Sequence, residues 1–335
     1  MQTTLAAIFI FMLVILVHEF GHFAVAKLVG IKVNEFSIGM GPKIVQKEKG
    51  ETRYTLRLLP IGGYVSMEGE DEDSSDERSF QSAPVISRIA VIAAGAIMNF
   101  ILAIVVFAVV TFMIGNPTNI VDSVIDNTPA QTAGIKENDK IIKVNEVDIK
   151  SWEDVIENIS TLDEGELLDI ELLREGQVKK IKLETIKYEQ SVIIGVQPRV
   201  EKSLIASIKG GFTKTYFSLT SIVDVFKMLF TGQVGSEALS GPVGVISGIG
   251  EATKMGFVYV LIIMGMISVN LGFFNLIPIP ALDGSRLMFL LVELVRGKPI
   301  DPEKEGRVHF IGFLFLISLM LLVTYKDIVT LIFGR

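Results

Sequence analysis

The stretch His18-Glu19-Phe20-Gly21-His22 lies inside an otherwise apolar segment, residues 5–29. The thirteen residues before it, 5–17, carry no charge. Ionisable side chains inside a membrane-spanning helix are costly, by about 2.5 kcal/mol or more for each charged group, so they mark functional positions. The length and composition of this segment therefore predict a transmembrane helix that carries a functional site.

The spacing of the two histidines indicates a metal site. On an α-helix, His18 and His22 share one face, and Glu19 lies beside that face. In the HExxH pattern the two imidazoles ligate Zn²⁺, and the glutamate is a general base for water. The alternative is a chance match on a soluble amphipathic helix, which the apolar residues on both sides disfavour. The pattern thus predicts a zinc peptidase site within the membrane.

The overall composition fits this prediction. Half of the 335 residues are hydrophobic, and the mean hydropathy of +0.51 exceeds that of an ordinary soluble domain. The net charge of −7 argues against a nucleic-acid partner. The chain has no cysteine, which excludes disulfides and Cys-ligated zinc. The N-terminus lacks a basic region and a small-residue cleavage site, so we expect a retained helix and not a cleaved signal peptide.

Three further segments are predicted to span the membrane: 89–114, 257–277 and 310–325. The last extends to 333 if Lys326 and Asp327 lie at the interface. Residues 204–230 show apolar residues at helical spacing, punctuated by charges, which favours an interfacial amphipathic helix over a fifth span.

The polar parts of the chain divide into two regions. In the first, 33–38 and 52–59 are predicted strands, 39–42 and 60–63 are turn signals, and the acidic run 68–77 is a solvated linker. In the second, about 119–187, strands at 140–144, 168–173 and 179–183 with a helix near 152–159 indicate a soluble module.

These elements predict an α-helical multi-pass membrane protein with about four transmembrane helices, membrane-associated β structure and an inserted α+β module. The predicted parts are an N-terminal membrane half (1–115), the module (116–200), an interfacial helix with its connector (201–255) and a C-terminal membrane half (256–335).

Orientation follows from the lysines and arginines near the helix ends. The first loop and the loop before the last helix are rich in them, which predicts that both loops are cytoplasmic. The module and both termini are then extracytoplasmic. The residues are Lys27, Lys32, Lys43, Lys47, Lys49, Arg53, Arg57 and Arg88 in the first loop, and Arg286, Arg296, Lys298, Lys304 and Arg307 in the other.

A catalytic zinc site needs a third protein ligand, and Asp283 is the best candidate. It follows Pro278 and Pro280, which break the helix and leave irregular backbone of the kind that membrane depth tolerates around a cavity. Zn²⁺, two neutral histidines and two ionised carboxylates, Asp283 and Glu19, sum to zero charge. The alternative is that Asp283 only caps a helix beginning near Ser285. The third histidine, His309, is predicted to be an interfacial residue.

Together these residues resemble the site-2 protease family of intramembrane zinc metalloproteases, in its bacterial branch that contains PDZ domains and includes the regulator of sigma-E protease. The resemblance spans nearly the whole chain, and its first and last motifs are the specific ones. The motifs are HEFGH at 18–22, FSIGMGP at 36–42, PIGGYV at 60–65, GAIMNF at 95–100, GPVGV at 241–245 and NLIPIPALDG at 275–284.

The resemblance implies a role for each matching residue. The metal ligands fall on His18, His22 and Asp283, and the catalytic glutamate on Glu19. Substrate binding falls on the segment that contains Asn275, Pro278 and Pro280. The segment 60–65, with Gly62 and Gly63, is similar to the membrane-associated β structure of the family and is expected to bind substrate by strand addition.

The module resembles a PDZ domain in Pro129-Ala130, Ala133-Gly134-Ile135 and the run 138–142. The usual glycine before Asp139 is Asn138 here, and asparagine tolerates the left-handed conformation. One such module is visible, whereas well-known proteobacterial relatives carry two in tandem.

The family implies cleavage of transmembrane segments in single-span proteins that have already been trimmed outside. Anti-sigma factors and signal-peptide remnants are the implied substrates, the lipid bilayer is the implied surrounding, and the cell membrane is the implied location. Two other functions remain open at this point: a membrane-anchored zinc protease that cuts loops outside the membrane, and a non-enzymatic PDZ scaffold.

Overall fold

The computed structural model of the chain describes residues 2–70, 72, 74–188, 191–233 and 240–333. These residues form two compact units. The first comprises residues 1–110 and 208–335, and the second is Thr111–Ser207. The second unit is thus an insertion into the first.

Four helices of the first unit are long and apolar enough to span a membrane, as the sequence predicts. Within the described residues they are α1 (Gln2–Leu28), α2 (Val85–Ile114), α7 (Phe257–Phe274) and α9 (Pro302–Phe333). Helix α9 begins before residue 310 and continues through Lys326 and Asp327. Asp327 is buried, and its Oδ2 accepts a hydrogen bond of 2.7 Å from the Gly244 N–H of another helix. That carboxylate therefore has a protein partner and does not need an interface.

Glycines allow α7 to lie close against α2. A Cβ at Gly265 would stand 2.7 Å from the Phe107 ring, and one at Gly272 would stand 3.0 Å from the Ala96 carbonyl oxygen. The Ser268 hydroxyl lies between them and donates to the Asn99 carbonyl oxygen at 2.8 Å. Small residues at such positions are typical of membrane helix pairs, because backbones can then approach closely.

Three more helices complete this unit: α5 (Leu204–Phe230), α6 (Pro242–Met255) and α8 (Asp283–Arg296). Helix α5 packs along the same two neighbours. Leu219 and Ile222 join the cluster around Phe107 and Val269, and Phe226 contacts the rings of Phe273 and Phe274. The interfacial position of this helix stays a prediction.

The polar region after α1 is one long hairpin of β1 (Val33–Lys49) and β2 (Thr52–Met67). Its pairing is irregular, because Phe36 pairs with both Val65 and Tyr54. The expected turns at 39–42 and 60–63 are confirmed by the residue pairs, although the strands are continuous through both stretches. Residues 35–38 run in the same direction as 53–56, whereas 45–49 run opposite to 53–56 and 63–66 run opposite to 35–38. The chain therefore reverses near both stretches. Gly39 and Gly62, with φ of +85° and +81°, lie at these reversals.

The acidic run after the hairpin is anchored to the protein and is not a freely solvated linker. Lys32 contacts Asp76 at 2.9 Å and Glu68 at 3.2 Å, and Arg286 of α8 pairs with Glu70. These partners lie far apart in sequence, which is why composition alone did not predict them. Asp71 and Asp73 of the run lie outside the described residues.

The inserted unit is built around a five-strand path in the order β10-β3-β4-β6-β7. Its core consists of aliphatic side chains, among them Ile141, Leu168 and Leu172. The first and last strands pair, Asn116 with Glu201, so the chain enters and leaves the unit at neighbouring positions. Its strands and helices are β3 (Asn116–Val124), α3 (Pro129–Thr132), β4 (Lys140–Val144), β5 (Val147–Asp148), α4 (Trp152–Ser160), β6 (Leu167–Arg174), β7 (Gln177–Glu184), β8 (Ile186–Tyr188), β9 (Ser191–Ile193) and β10 (Val196–Glu201).

Candidate metal centre

Three side chains converge within the first unit at the middle of the HEFGH motif. The Nε2 atoms of His18 and His22 are 3.2 Å apart, and Oδ2 of Asp283 lies 3.1 Å from the first and 3.3 Å from the second. Both histidines are buried. The histidines of the first motif and the aspartate of the last one thus meet at one point, although His22 and Asp283 are 261 residues apart in the chain.

This triangle fits a zinc ion. Ligand atoms about 2.0–2.1 Å from tetrahedral Zn²⁺ stand about 3.3 Å from one another, which is close to the three separations found here. Oδ2 of Asp283 is buried and has no hydrogen-bond partner, as expected for an atom that binds a cation. A Cβ at Gly95 would overlap the Nε2 atom of His22 and stand 2.7 Å from Cε1 of His18. The glycine therefore leaves room for both rings.

The backbone after α7 carries Asp283 to this place. Asn275 ends α7, and α8 starts at Asp283 itself, with Leu282 at the N-cap position and no side-chain cap bond. The interpretation of Asp283 as a cap therefore has no support in this geometry. Ala281, between the prolines and the aspartate, has φ of +75°, which an alanine rarely adopts. Its surroundings must hold it there.

Glu19 is half-buried beside the triangle. A Cβ at Gly63 would lie 3.6 Å from Cγ of Glu19 and 2.7 Å from the Ser37 carbonyl oxygen. The glycine thus lets a segment of β2 pass directly beside the carboxylate. Glu19 is not part of the ligand triangle, which leaves it free to act on protons.

The other predicted substrate residues lie around the same helix break. Asn275 is buried, Pro278 is exposed, and Pro280 packs directly on Gly312 of α9. Gly62 lies against the Met40 side chain, which a Cβ would meet at 3.5 Å. The structure brings Gly63 close to Glu19, whereas no described contact joins Pro278 to the triangle.

Sequence reasoning missed the part played by His309. Its Nδ1 accepts a hydrogen bond of 3.2 Å from the Ala281 N–H and lies 3.4 Å from the Ser285 hydroxyl. It is therefore a support of the segment that carries Asp283, and not a plain interfacial residue. A cavity of about 440 Å³ connects the two, because both His309 and Asp283 line it. No sequence signal identifies a histidine whose partner is a backbone N–H.

The chain belongs to peptidase family M50, whose family model matches residues 6–319. It is a zinc metalloprotease of the site-2 protease type and a membrane protein, and its cofactor is Zn²⁺.

Relatives match along their whole length. A candidate zinc metalloprotease of Clostridium acetobutylicum is 40% identical over 327 residues, which cover 96% of each chain. The regulator of sigma-W protease RasP of Bacillus subtilis is 34% identical over 415 residues, 98% of each chain. The zinc metalloprotease RasP of Geobacillus kaustophilus is 32% identical over 413 residues, again 98% of each.

Among solved structures, the PDZ domain of the SdrC-like protein of Listeria monocytogenes is similar to 24% of this chain. That match covers 87% of its own chain at 19% identity, with a TM-score of 0.23.

Proposed function

We propose that this protease hydrolyses peptide bonds inside the transmembrane segments of single-span membrane proteins that have already been trimmed outside the membrane. The observation that carries the proposal is the position of the triangle on α1. His18 and His22 lie within an apolar helix whose Leu5, Phe9 and Leu28 are exposed on both sides of them. A site at the end of the helix would instead favour substrates outside the membrane.

In this proposal His18, His22 and Asp283 hold the zinc, and Glu19 is the general base. When bound, Zn²⁺ supplies Lewis-acid activation of a water molecule and of the scissile carbonyl. Glu19 accepts a proton from the attacking water and delivers it to the leaving nitrogen. Gly63 keeps the adjacent segment of β2 within reach of that carboxylate without a side chain between them.

A substrate helix has its carbonyls bonded internally, so it must unwind locally before it can react. The unpaired edge of residues 63–67 could bind the unwound substrate through backbone hydrogen bonds. These residues pair with 33–38 on one side, and no described strand pairs with their other side. We infer that the substrate adds to this edge as a β-strand, with Asn275 and the segment containing Pro278 and Pro280 on the side of the helix break.

The proposed location is the cell membrane, with the hairpin and the loop before α9 in the cytoplasm and the module and both termini outside. A cysteine at exposed Ser75 should then resist an impermeant thiol reagent in intact cells, and one at exposed Glu175 should react. The chain has no native cysteine, so each variant carries a single reactive thiol. The reverse labelling pattern would overturn the orientation.

The name of one relative, a regulator of sigma-W protease, supports an anti-sigma factor as the substrate class. Remnants of signal peptides are the second class that we propose. Both would present a single membrane-spanning segment after trimming, which is the kind of substrate proposed above.

We further propose that the inserted module, which resembles a PDZ domain, excludes substrates that still carry a bulky extracellular domain. Because Asn116 and Glu201 are paired neighbours, a short flexible linker can replace residues 117–200 without stretching the chain. The variant should cleave an untrimmed substrate that the native protein leaves intact, with unchanged turnover of the trimmed one. Untrimmed substrate that stays intact while the trimmed one is cut normally would refute the filter.

The main test is to map the cleavage site of a single-span substrate by mass spectrometry, with the purified protease in detergent. Cleavage within the apolar segment is expected. Cuts confined to the flanking polar residues would favour a membrane-anchored protease that acts on loops, the second candidate function.

A further inference from the structure

To bind a metal, each of the two imidazoles must have an unprotonated Nε2, so its one proton must be on Nδ1. A neutral imidazole carries one proton, so ligation through Nε2 places that proton on Nδ1, which then needs an acceptor. For His22 the acceptor is evident, because its Nδ1 lies 2.8 Å from the Val91 carbonyl oxygen. Among the residues that the structure describes, no backbone carbonyl bonds Nδ1 of His18, whose partner is a side-chain amide.

The partner of His18 is Asn99 of α2. Its amide lies 3.1 Å from Nδ1 of His18, with Nδ2 facing the ring. Asn99 is fully buried, and its Oδ1 has no hydrogen-bond partner. An amide nitrogen at this position would donate to Nδ1 and leave the ring proton on Nε2, the atom that must be unprotonated to bind a metal.

A half-turn of the amide reverses this arrangement. It exchanges two atoms of nearly equal size, so it needs no extra space. Oδ1 then accepts the Nδ1–H of His18, which frees Nε2 for the metal, and the unpartnered oxygen gains a bond. An amide can serve both states because it is donor and acceptor at once.

We propose that Asn99 is a positioning residue that orients His18 for zinc by accepting its Nδ1–H through the amide oxygen. This inference rests on the proposed assignment of His18, His22 and Asp283 as ligands. It also accounts for the spacing of Gly95 and Asn99, which lie one turn apart on the same face of α2. The glycine makes room for the rings, and the asparagine fixes one of them.

The position of Asn99 is itself held by a second helix. The Ser268 hydroxyl of α7 donates to the Asn99 backbone carbonyl at 2.8 Å in a buried contact. The amide is therefore supported by α7 as well as by its own helix. Asn99 needs such support to select one tautomer of His18, because a shift of the amide relative to the ring would break the hydrogen bond to Nδ1.

The test is the zinc affinity of the full-length protein in detergent, measured by competition with a chromophoric chelator. Asn99→Leu and Asn99→Ala should bind zinc about 10–100-fold more weakly than the native chain, as removal of such a partner typically does. Asn99→Asp, which can only accept, should restore native affinity or exceed it. Asn270→Leu is the matched control and should have native affinity, because Asn270 donates only within its own helix, to the Met266 carbonyl.

Three results would overturn the inference or its basis, and each is distinguishable. Native affinity in folded Asn99→Leu and Asn99→Ala would show that Asn99 does not orient His18. Affinity of Asn99→Asp as weak as that of Asn99→Leu would show that the amide acts as a donor and not as an acceptor. Undiminished zinc affinity in His18→Ala would instead refute the ligand assignment on which the inference depends.

Discussion

Asp139 is fully buried and Asp283 is partly buried, and the two aspartates differ in how many hydrogen bonds their carboxylates receive. Asp139, in the inserted module, receives two hydrogen bonds of 2.6 Å from Arg174 and one of 2.8 Å from the Lys136 N–H. Asp283, in the membrane unit, faces two imidazole nitrogens, and its Oδ2 has no hydrogen-bond partner.

The comparison teaches how to separate a structural carboxylate from a functional one. A carboxylate with a complete set of donors stabilises the fold and has no capacity left for a ligand. A carboxylate that converges with two neutral nitrogens lacks donors and has capacity for a cation.

A third carboxylate, Glu19, sharpens the contrast because it belongs to neither class. Glu19→Gln should lower turnover of a trimmed single-span substrate by about 10³-fold or more, since the general base is lost. Zinc content should stay at one ion per chain. Native turnover at unchanged zinc content would remove Glu19 from the mechanism.

Because β2 passes close to Glu19, a substitution at Gly63 should also lower turnover, but by less than Glu19→Gln. Gly63→Ala places a methyl group against the Ser37 carbonyl and Glu19, and such overpacking costs about 1–3 kcal/mol. We expect turnover to fall about tenfold with zinc content unchanged. The matched control is Gly248→Ala, because a Cβ at Gly248 would meet nothing within 4 Å. Equal turnover in the two variants would contradict the proposed approach of the strand to the site.

For the structural aspartate, stability is the quantity that should change. Asp139→Asn leaves Arg174 without its charge partner and should destabilise the module by about 2–3 kcal/mol at pH 7, somewhat less than for a fully buried pair because Arg174 is partly exposed. Hydrogen exchange of β4 and β6 in the full-length protein measures this loss. Protection equal to that of the native chain would show that the pair contributes nothing.

The pH dependence of that stability has a definite sign. Burial by itself would raise the pKa of Asp139, but the hydrogen bonds from Arg174 and the Lys136 N–H outweigh it and hold the pKa below its ordinary value. The unfolded module then binds more protons in acid than the folded one. The contribution of Asp139 is therefore complete above its ordinary pKa, about 3.9, and is lost as pH falls through the lower folded value. Asp139→Asn should show a weaker loss of stability in that acidic range.

The smallest expected effect concerns the support of Asp283 by α9. His309→Ala removes the acceptor of the Ala281 N–H and should weaken zinc binding about fivefold, the value of one lost hydrogen bond. His309→Asn, which offers an acceptor oxygen, should recover part of the affinity. If both variants bind zinc like the native chain, His309 does not position the aspartate.

Much of the site could be predicted from sequence because its parts are local patterns. The spacing of His18 and His22 predicts a shared helix face, and the proline break before Asp283 marks that aspartate as a candidate third ligand. The zinc protease, its family and the four apolar helices were confirmed. The glycine-containing turns at 39–42 and 60–63 were also predicted, but the pairing of residues 35–38 with both 53–56 and 63–66 was not, because strand partners are set by residues distant in the chain. The contacts of Asn99 and His309 depend on helix packing between distant segments, which periodicity does not report.

The most direct measurement is the zinc content of purified native protein, Asp283→Asn and Asp139→Asn after the same mild chelation. The native chain and Asp139→Asn should each retain one zinc ion, because the second aspartate binds only protein groups. Asp283→Asn should lose it. Full zinc in Asp283→Asn, or loss of zinc in a folded Asp139→Asn, would contradict the assignment of Asp283 as the third ligand and of Asp139 as a structural charge.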